Sequence, residues 1–177
     1  APKDREKFVG CDVAIVGGGN TAIEDAIYLS EKANKVYLVH RRDEFRADQM
    51  LVDRLYNEIA NNHKIELVLS CKPYKLIGEN KIDGITVLNL KNEEKIDLKV
   101  QGVFVAIGRG ADTDIIDKNV QRNELGYIVS NSKMETNIQG VYVAGDIRNT
   151  ELRQIVSATN DGAIATTSAF KYIKSKK

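Results

Sequence analysis

Asp12-Val13-Ala14-Ile15-Val16 is a short apolar run that stops at three glycines, 17–19. A run apolar on both faces predicts a buried parallel strand ending in a tight turn. Over 21–33 the apolar residues Ala22, Ile23, Ala26, Ile27 and Leu29 recur at helical spacing, and Val36-Tyr37-Leu38-Val39 supplies a second strand. Together they make one βαβ unit, expected to cross over right-handed.

A charged stretch over 40–49 precedes a second helical pattern through Met50, Leu51, Leu55, Ile59 and Ala60, which ends near Asn61-Asn62, and 65–69 reads as the third strand. Between Pro73 and Val100 the pattern changes. Short strands are expected at 74–77, 85–90 and 96–100, broken by polar turns at 78–80 and 91–94. This is an antiparallel meander inserted into a doubly wound domain, which the apolar run 102–108 then closes with one more buried strand. Beyond Gly110 the sequence resets to a polar connection, strands at 127–129 and 141–144, and a helix reaching about Ile173. In that helix Ile155, Val156, Ala163, Ile164, Phe170 and Ile173 form an apolar stripe. The expected division is 1–112 and 113–177, with the lysines of 174–177 as a solvated end.

Gly17-Gly18-Gly19-Asn20-Thr21-Ala22 fits G-x-G-x-x-A between a strand and a helix. In that context Gly17 permits the tight turn, Gly19 leaves the backbone open to a pyrophosphate, and Ala22 allows helix and strand to pack closely. The helix start adds free N–H groups and partial positive charge, and Asn20 and Thr21 are expected to cap it as well as touch ligand. The alternative is a glycine turn used for packing alone.

The second strand ends at Val39-His40-Arg41-Arg42-Asp43-Glu44-Phe45-Arg46. NAD-binding turns place an acidic residue here to hold the ribose 2′-hydroxyl. This strand end has none, and Arg41, Arg42 and Arg46 crowd the place of a 2′-phosphate, which guanidinium groups clamp with charge-assisted bonds. The reading is an NADPH site, against the alternative of a solvated basic edge. Asp43 and Glu44 are expected to orient the arginines or face water. His40 reads as a packing or hydrogen-bonding element beside the site rather than a proton donor; His63, in a polar loop, has no evident partner. Ile107 and Gly108, where the last strand of the unit runs out, complete the expected cofactor rim.

Charge and cysteine content narrow the classes. Lys and Arg number 26 against 25 Asp and Glu, so no global field points to nucleic acid or an anionic membrane. No apolar run approaches the roughly 18 residues of a membrane span, and the N-terminus has no signal-peptide core. Cys11 and Cys71 lack the spacing of a metal site, a CxxC pair or a disulfide framework. A cytoplasmic, reducing location is the expectation.

G-G-G-N-T-A followed by H-R-R-x-x-x-R resembles the NADPH domain of low-molecular-weight thioredoxin reductases. The resemblance extends from about Val9 to Ile173. Gly140-Val141-Tyr142-Val143-Ala144-Gly145-Asp146 resembles the family's FAD signature, in which the aspartate bonds a ribityl hydroxyl. Arg153-Gln154-Ile155 resembles the segment lying against the flavin ring, and 159–165 continues the likeness. The resemblance implies that Gly145, Asp146, Arg153, Gln154 and Ile155 line FAD. A bare strand-to-helix turn with a capping Asp is the alternative for Asp146.

The implied fold is α/β: a doubly wound, three-layer ββα nucleotide-binding domain of the Rossmann-like, FAD/NAD(P)-binding type, with a partial second domain of the same type. The implied chemistry is electron flow from NADPH through FAD and a redox disulfide to thioredoxin, in an enzyme expected to be a homodimer. Three departures stand out. The chain has one glycine-rich turn where the family has two. The second cysteine of the family's CxxC pair would fall at or near Lys3. The turn 108–112 lacks a proline often found there. The expectation is a portion that binds NADPH without turning over alone, with apolar surface exposed over roughly 114–177. Two alternatives are a ferredoxin or flavodoxin NADP reductase of the thioredoxin-reductase-like type, and a stand-alone NADPH-binding or sensing module.

Overall fold

The structure, a computed structural model, describes residues 5–108 and 110–176. Residues 1–4, where the altered cysteine motif is expected, Arg109 of the proline-lacking turn, and Lys177 of the basic tail lie outside the described residues. The chain forms two compact units, divided after Gly108 rather than at the expected 112.

In the first unit β1 (Asp12–Gly17), β2 (Lys35–Val39), β3 (Ile65–Val68) and β7 (Gly102–Ala106) form a parallel sheet in the order β3-β2-β1-β7. The alternation of side chains along β1 splits its apolar run between two cores. Val13 and Ile15 meet Ala22, Ile23, Ala26 and Leu29 of α1 (Asn20–Ser30) and Leu55 of α2 (Gln49–Asn62). Ala14 and Val16 face the opposite way, into a core with Ile85, Val87 and Leu98. These last belong to an antiparallel sheet of β4 (Cys71–Ile77), β5 (Gly84–Asn89) and β6 (Lys95–Leu98). The inserted meander is therefore a layer, and the order helices, parallel sheet, meander is the three-layer ββα arrangement expected.

The end of α2 explains His63, for which sequence suggested no role. It takes a left-handed conformation, φ 56°, and its N–H donates to the Ile59 carbonyl at 3.1 Å, closing the helix where glycine or asparagine is usual.

The second unit departs from expectation. Residues 127–129 and 141–144 are not strands: they make isolated bridges, Arg122 with Ile128, Ile128 with Arg148, and Glu135 with Tyr142. Each bridge lacks a neighbouring rung, so no ladder extends from it, and the local core is small, built on Val120, Ile128 and Val143. Order comes instead from side chains bonding to backbone. The Arg122 guanidinium donates to the carbonyls of Thr113, Ile116 and Val120 at 2.8–2.9 Å. The helix α3 (Ile155–Ser175) runs as expected, and its apolar stripe is in part open to solvent, with Ile155, Val156, Phe170 and Ile173 all exposed. Asp161 is its one buried residue.

Candidate functional site

A cavity of about 440 Å³ sits in the first unit at the ends of β1, β2 and β7, a size usual for small-molecule sites. Its walls bring together residues singled out there by sequence: 17–21 from the glycine turn, His40, Arg41, Arg42 and Arg46 after β2, and Ile107 and Gly108 after β7, while Ala22 is buried in the core behind the turn. This crevice lies at the carboxyl ends of parallel strands, where doubly wound sheets bind ligands.

The three glycines have different reasons. A Cβ on Gly17 would lie 2.3 Å from the Ala106 carbonyl oxygen and 2.8 Å from Ala22 Cβ, so strand, turn and helix meet too closely there for any side chain. A Cβ on Gly18 would strike the His40 ring at 2.3 Å. A Cβ on Gly19 would meet nothing within 4 Å, because Gly19 borders open space. That opening is where a pyrophosphate can reach the backbone. Gly19 is the N-cap of α1, and the N–H groups of Asn20 and Thr21 have no acceptor among the described residues, which leaves them for an anion.

The structure corrects one expectation about the neighbours and decides between the alternatives of another. Neither Asn20 nor Thr21 caps α1 with its side chain. The Asn20 amide instead pairs with Asp48, donating to its carboxylate at 2.7 Å and accepting its N–H at 2.9 Å, and so ties the starts of α1 and α2. Of the two roles open to Asp43, it takes the water-facing one: exposed and paired with no arginine among the described residues, it accepts from the Ser70 hydroxyl and pairs with Lys91 at 2.7 Å. The Lys91 contact, aided by Ser70, holds the Asp43 carboxyl below the usual carboxylate range. Among the described residues Arg41, Arg42 and Arg46 form no ion pair, and Glu44 meets His40 through its backbone carbonyl.

His40 is buried, stacked on Phe45 with ring centroids 5.7 Å apart, and Nε2 lies 3.2 Å from the Glu44 carbonyl oxygen. A carbonyl can only accept, so Nε2 carries the proton of the neutral ring. Burial holds the His40 pKa below the ordinary value, and Arg42, Arg41 and Arg46 push the same way. The unfolded chain then binds the proton first. This contribution to stability is intact above about pH 6.5 and is lost as pH falls toward the folded pKa. The thermal midpoint is expected to drop more steeply between about pH 6.5 and 5 in the wild type than in His40→Gln. Parallel pH profiles would show that another group is responsible.

Cys11 and Cys71 are free thiols. Cys71 borders the cavity but is buried, and burial pushes its thiol pKa up, the opposite of an activated nucleophile.

In the second unit Gly145 and Asp146 occupy a turn rather than a strand end. Gly145 has φ 81°, and its N–H donates to the Asp161 carboxylate, which also pairs with Arg148 at 3.1 Å. This packs the turn against the early part of α3. Gln154 is the N-cap of α3 and forms a capping box with Ser157. Arg153 lies 4.1 Å over the Tyr127 ring, with Nε buried and without a hydrogen-bond partner among the described residues. Asp146 and Ile155 are exposed. Gly145 and Gln154 thus hold the backbone in place, while Asp146 and Ile155 project outward and Arg153 keeps an unused donor.

A profile of the pyridine nucleotide-disulphide oxidoreductase family matches residues 2–162. The chain belongs to this family. Among its pyridine nucleotide-disulphide oxidoreductase relatives, the thioredoxin reductase of Bacillus subtilis is 38% identical over 94% of this chain and 52% of its own length. A 34.2 kDa protein in the rubredoxin operon of Clostridium pasteurianum is 38% identical over 98% of this chain and 55% of its own. In structure, Lactococcus lactis thioredoxin reductase superposes with a TM-score of 0.76 at 30% identity, covering 99% of this chain and 57% of that one. The chain spans about half the length of the relatives it matches. No helix among the described residues is long and apolar enough to cross a membrane.

Proposed function

We propose that this chain supplies the NADPH-binding portion of a flavin-dependent thioredoxin reductase, with the cavity lined by 17–21, His40, Arg41, Arg42, Arg46, Ile107 and Gly108 as the nucleotide site. The observation that carries this reading is the charge of the cavity: the arginines after β2 line it and no carboxylate does. The residues fit the cofactor. Gly19 leaves room at the helix start, free N–H groups face a pyrophosphate, and Arg41, Arg42 and Arg46 suit a 2′-phosphate. NADPH, when bound, supplies the hydride. The chain binds the dinucleotide, orients it and selects the phosphorylated form.

The second unit fits one side of a flavin site. Gly145, Asp146, Arg153, Gln154 and Ile155 sit around the start of α3, and the unpartnered Arg153 Nε is a buried donor that a ligand acceptor would satisfy. Cys11 and Cys71 are not read as the redox pair, since 60 positions separate them, unlike a CxxC motif, and Cys71 is buried. The likeness to thioredoxin reductases supports thioredoxin as the acceptor, and a homodimer and a cytoplasmic setting are part of the same proposal.

The test is titration of the chain with NADPH and NADH at low salt, repeated on the Arg41→Ala, Arg46→Ala double variant. NADPH is expected to bind with a Kd on the order of micromolar, with NADH weak, and the double variant to lose NADPH affinity at least about tenfold. Equal affinity for both nucleotides, or none for either, would overturn the reading.

A further inference from the structure

The motif after β2 does not account for every cation of the cavity. Lys72, from the far end of the sequence that leads into the meander, lines it too, with Cys71 and Pro73 beside it. Backbone bonds bring it there. The Cys71 N–H donates to the His40 carbonyl at 2.9 Å and the Ser70 N–H to the Arg42 carbonyl at 3.2 Å, so the start of β4 runs alongside the arginine segment. The pairing of β4 with β5 then shifts register between Pro73 and Lys75, and such irregularities redirect the side chains near them.

Lys72 is exposed and among the described residues forms no ion pair. Of the two acids in the adjoining segment, Asp43 is held by Ser70 and Lys91, and neither Asp43 nor Glu44 lines the cavity. The wall therefore carries four cationic side chains, Arg41, Arg42, Arg46 and Lys72, that no local carboxylate neutralises.

We propose that Lys72 is a specificity-determining residue of the nucleotide pocket, placed on β4 alongside the arginine segment to meet the 2′-phosphate of the bound dinucleotide together with the arginines. The proposal rests on the nucleotide reading given above. A compact ammonium on a flexible stem acts as a point charge, complementing the planar guanidinium groups without competing for their bidentate geometry. It favours a ligand with a phosphate at the adenosine end over the same ligand without one.

The test uses NADPH, NADH and adenosine 2′,5′-bisphosphate as probes, titrated into wild type, Lys72→Gln, Lys72→Arg and Lys75→Gln. Lys75→Gln removes the same charge from the same strand outside this cavity. Lys72→Gln is expected to weaken NADPH and the bisphosphate about three- to fivefold, to leave NADH unchanged, and to flatten the salt dependence of NADPH binding. Lys72→Arg retains most of the affinity and Lys75→Gln all of it. If wild type binds NADPH over NADH and Lys72→Gln does not differ from it, or if Lys75→Gln weakens binding equally, the role of Lys72 is overturned while the nucleotide site stands. If wild type binds no probe, the nucleotide site falls, and Lys72 with it.

Discussion

Gly17→Ala is expected to destabilise the first unit by about 3 kcal/mol and to lower its thermal midpoint by roughly 10 °C or more. The added methyl would lie 2.3 Å from a backbone carbonyl oxygen and 2.8 Å from Ala22 Cβ. Neither obstacle is a side-chain end that can swing away. Relief requires β1 and β7 to part where Gly17 pairs with Ala106, or α1 to lift from the sheet. Gly19→Ala separates this effect from function. Its methyl meets nothing within 4 Å, so stability should change by less than about 1 kcal/mol, while NADPH affinity falls because the methyl occupies the space proposed for the pyrophosphate. Denaturant unfolding followed by circular dichroism, with nucleotide titration of the same samples, checks both. Equal stability of Gly17→Ala and wild type would refute the close-packing account of the turn.

The second large effect lies in α3. Asp161 is the helix's buried anchor: its carboxylate accepts from Gly145 N–H at 3.2 Å and from the Arg148 guanidinium at 3.1 Å. Asp161→Ala removes the acceptor and leaves a mostly buried guanidinium unpaired. Breaking such a pair on one side costs about 3–5 kcal/mol, more than the small core of Val120, Ile128 and Val143 is placed to replace. Hydrogen exchange should show loss of protection through α3 and the 145–148 turn, with β1 and α1 unaffected. Protection unchanged in α3 would mean that the helix is held by other contacts. The double variant Asp161→Ala, Arg148→Met should recover part of the loss, because it removes the orphaned charge as well.

The first unit was legible because its signals are local and strong. The apolar run of β1, the helical spacing of α1 and the polar turns of the meander each decide their own element, and the glycine turn lies between a strand and a helix, as its motif requires. What sequence missed there depends on contacts across the fold. Asn20 pairs with an Asp48 that lies 28 positions away, and Lys72 reaches the cavity through hydrogen bonds from β4 to the segment after β2. His63 has no helix-ending signature of its own residue type. The second unit was harder for a different reason. The segments 127–129 and 141–144 have strand-like composition, but a strand needs a partner along its length, and here each meets any one partner at a single bridge. Of the residues carried over as flavin contacts, Arg153, Gln154 and Ile155 could be placed at a helix start from the sequence, whereas Gly145 and Asp146 were expected at a strand end and lie on a turn. Their division into backbone supports and outward-facing groups needed coordinates.

The contact between Gly18 and His40 changes what the glycine motif means in this chain. In the pattern G-x-G-x-x-A position 18 is the unspecified letter, free as far as phosphate binding is concerned. Here an imidazole fills the space its side chain would take, so the two positions, 22 apart, are coupled in one direction: a larger residue at 18 requires a change at the end of the second strand, while His40 can be exchanged with Gly18 kept.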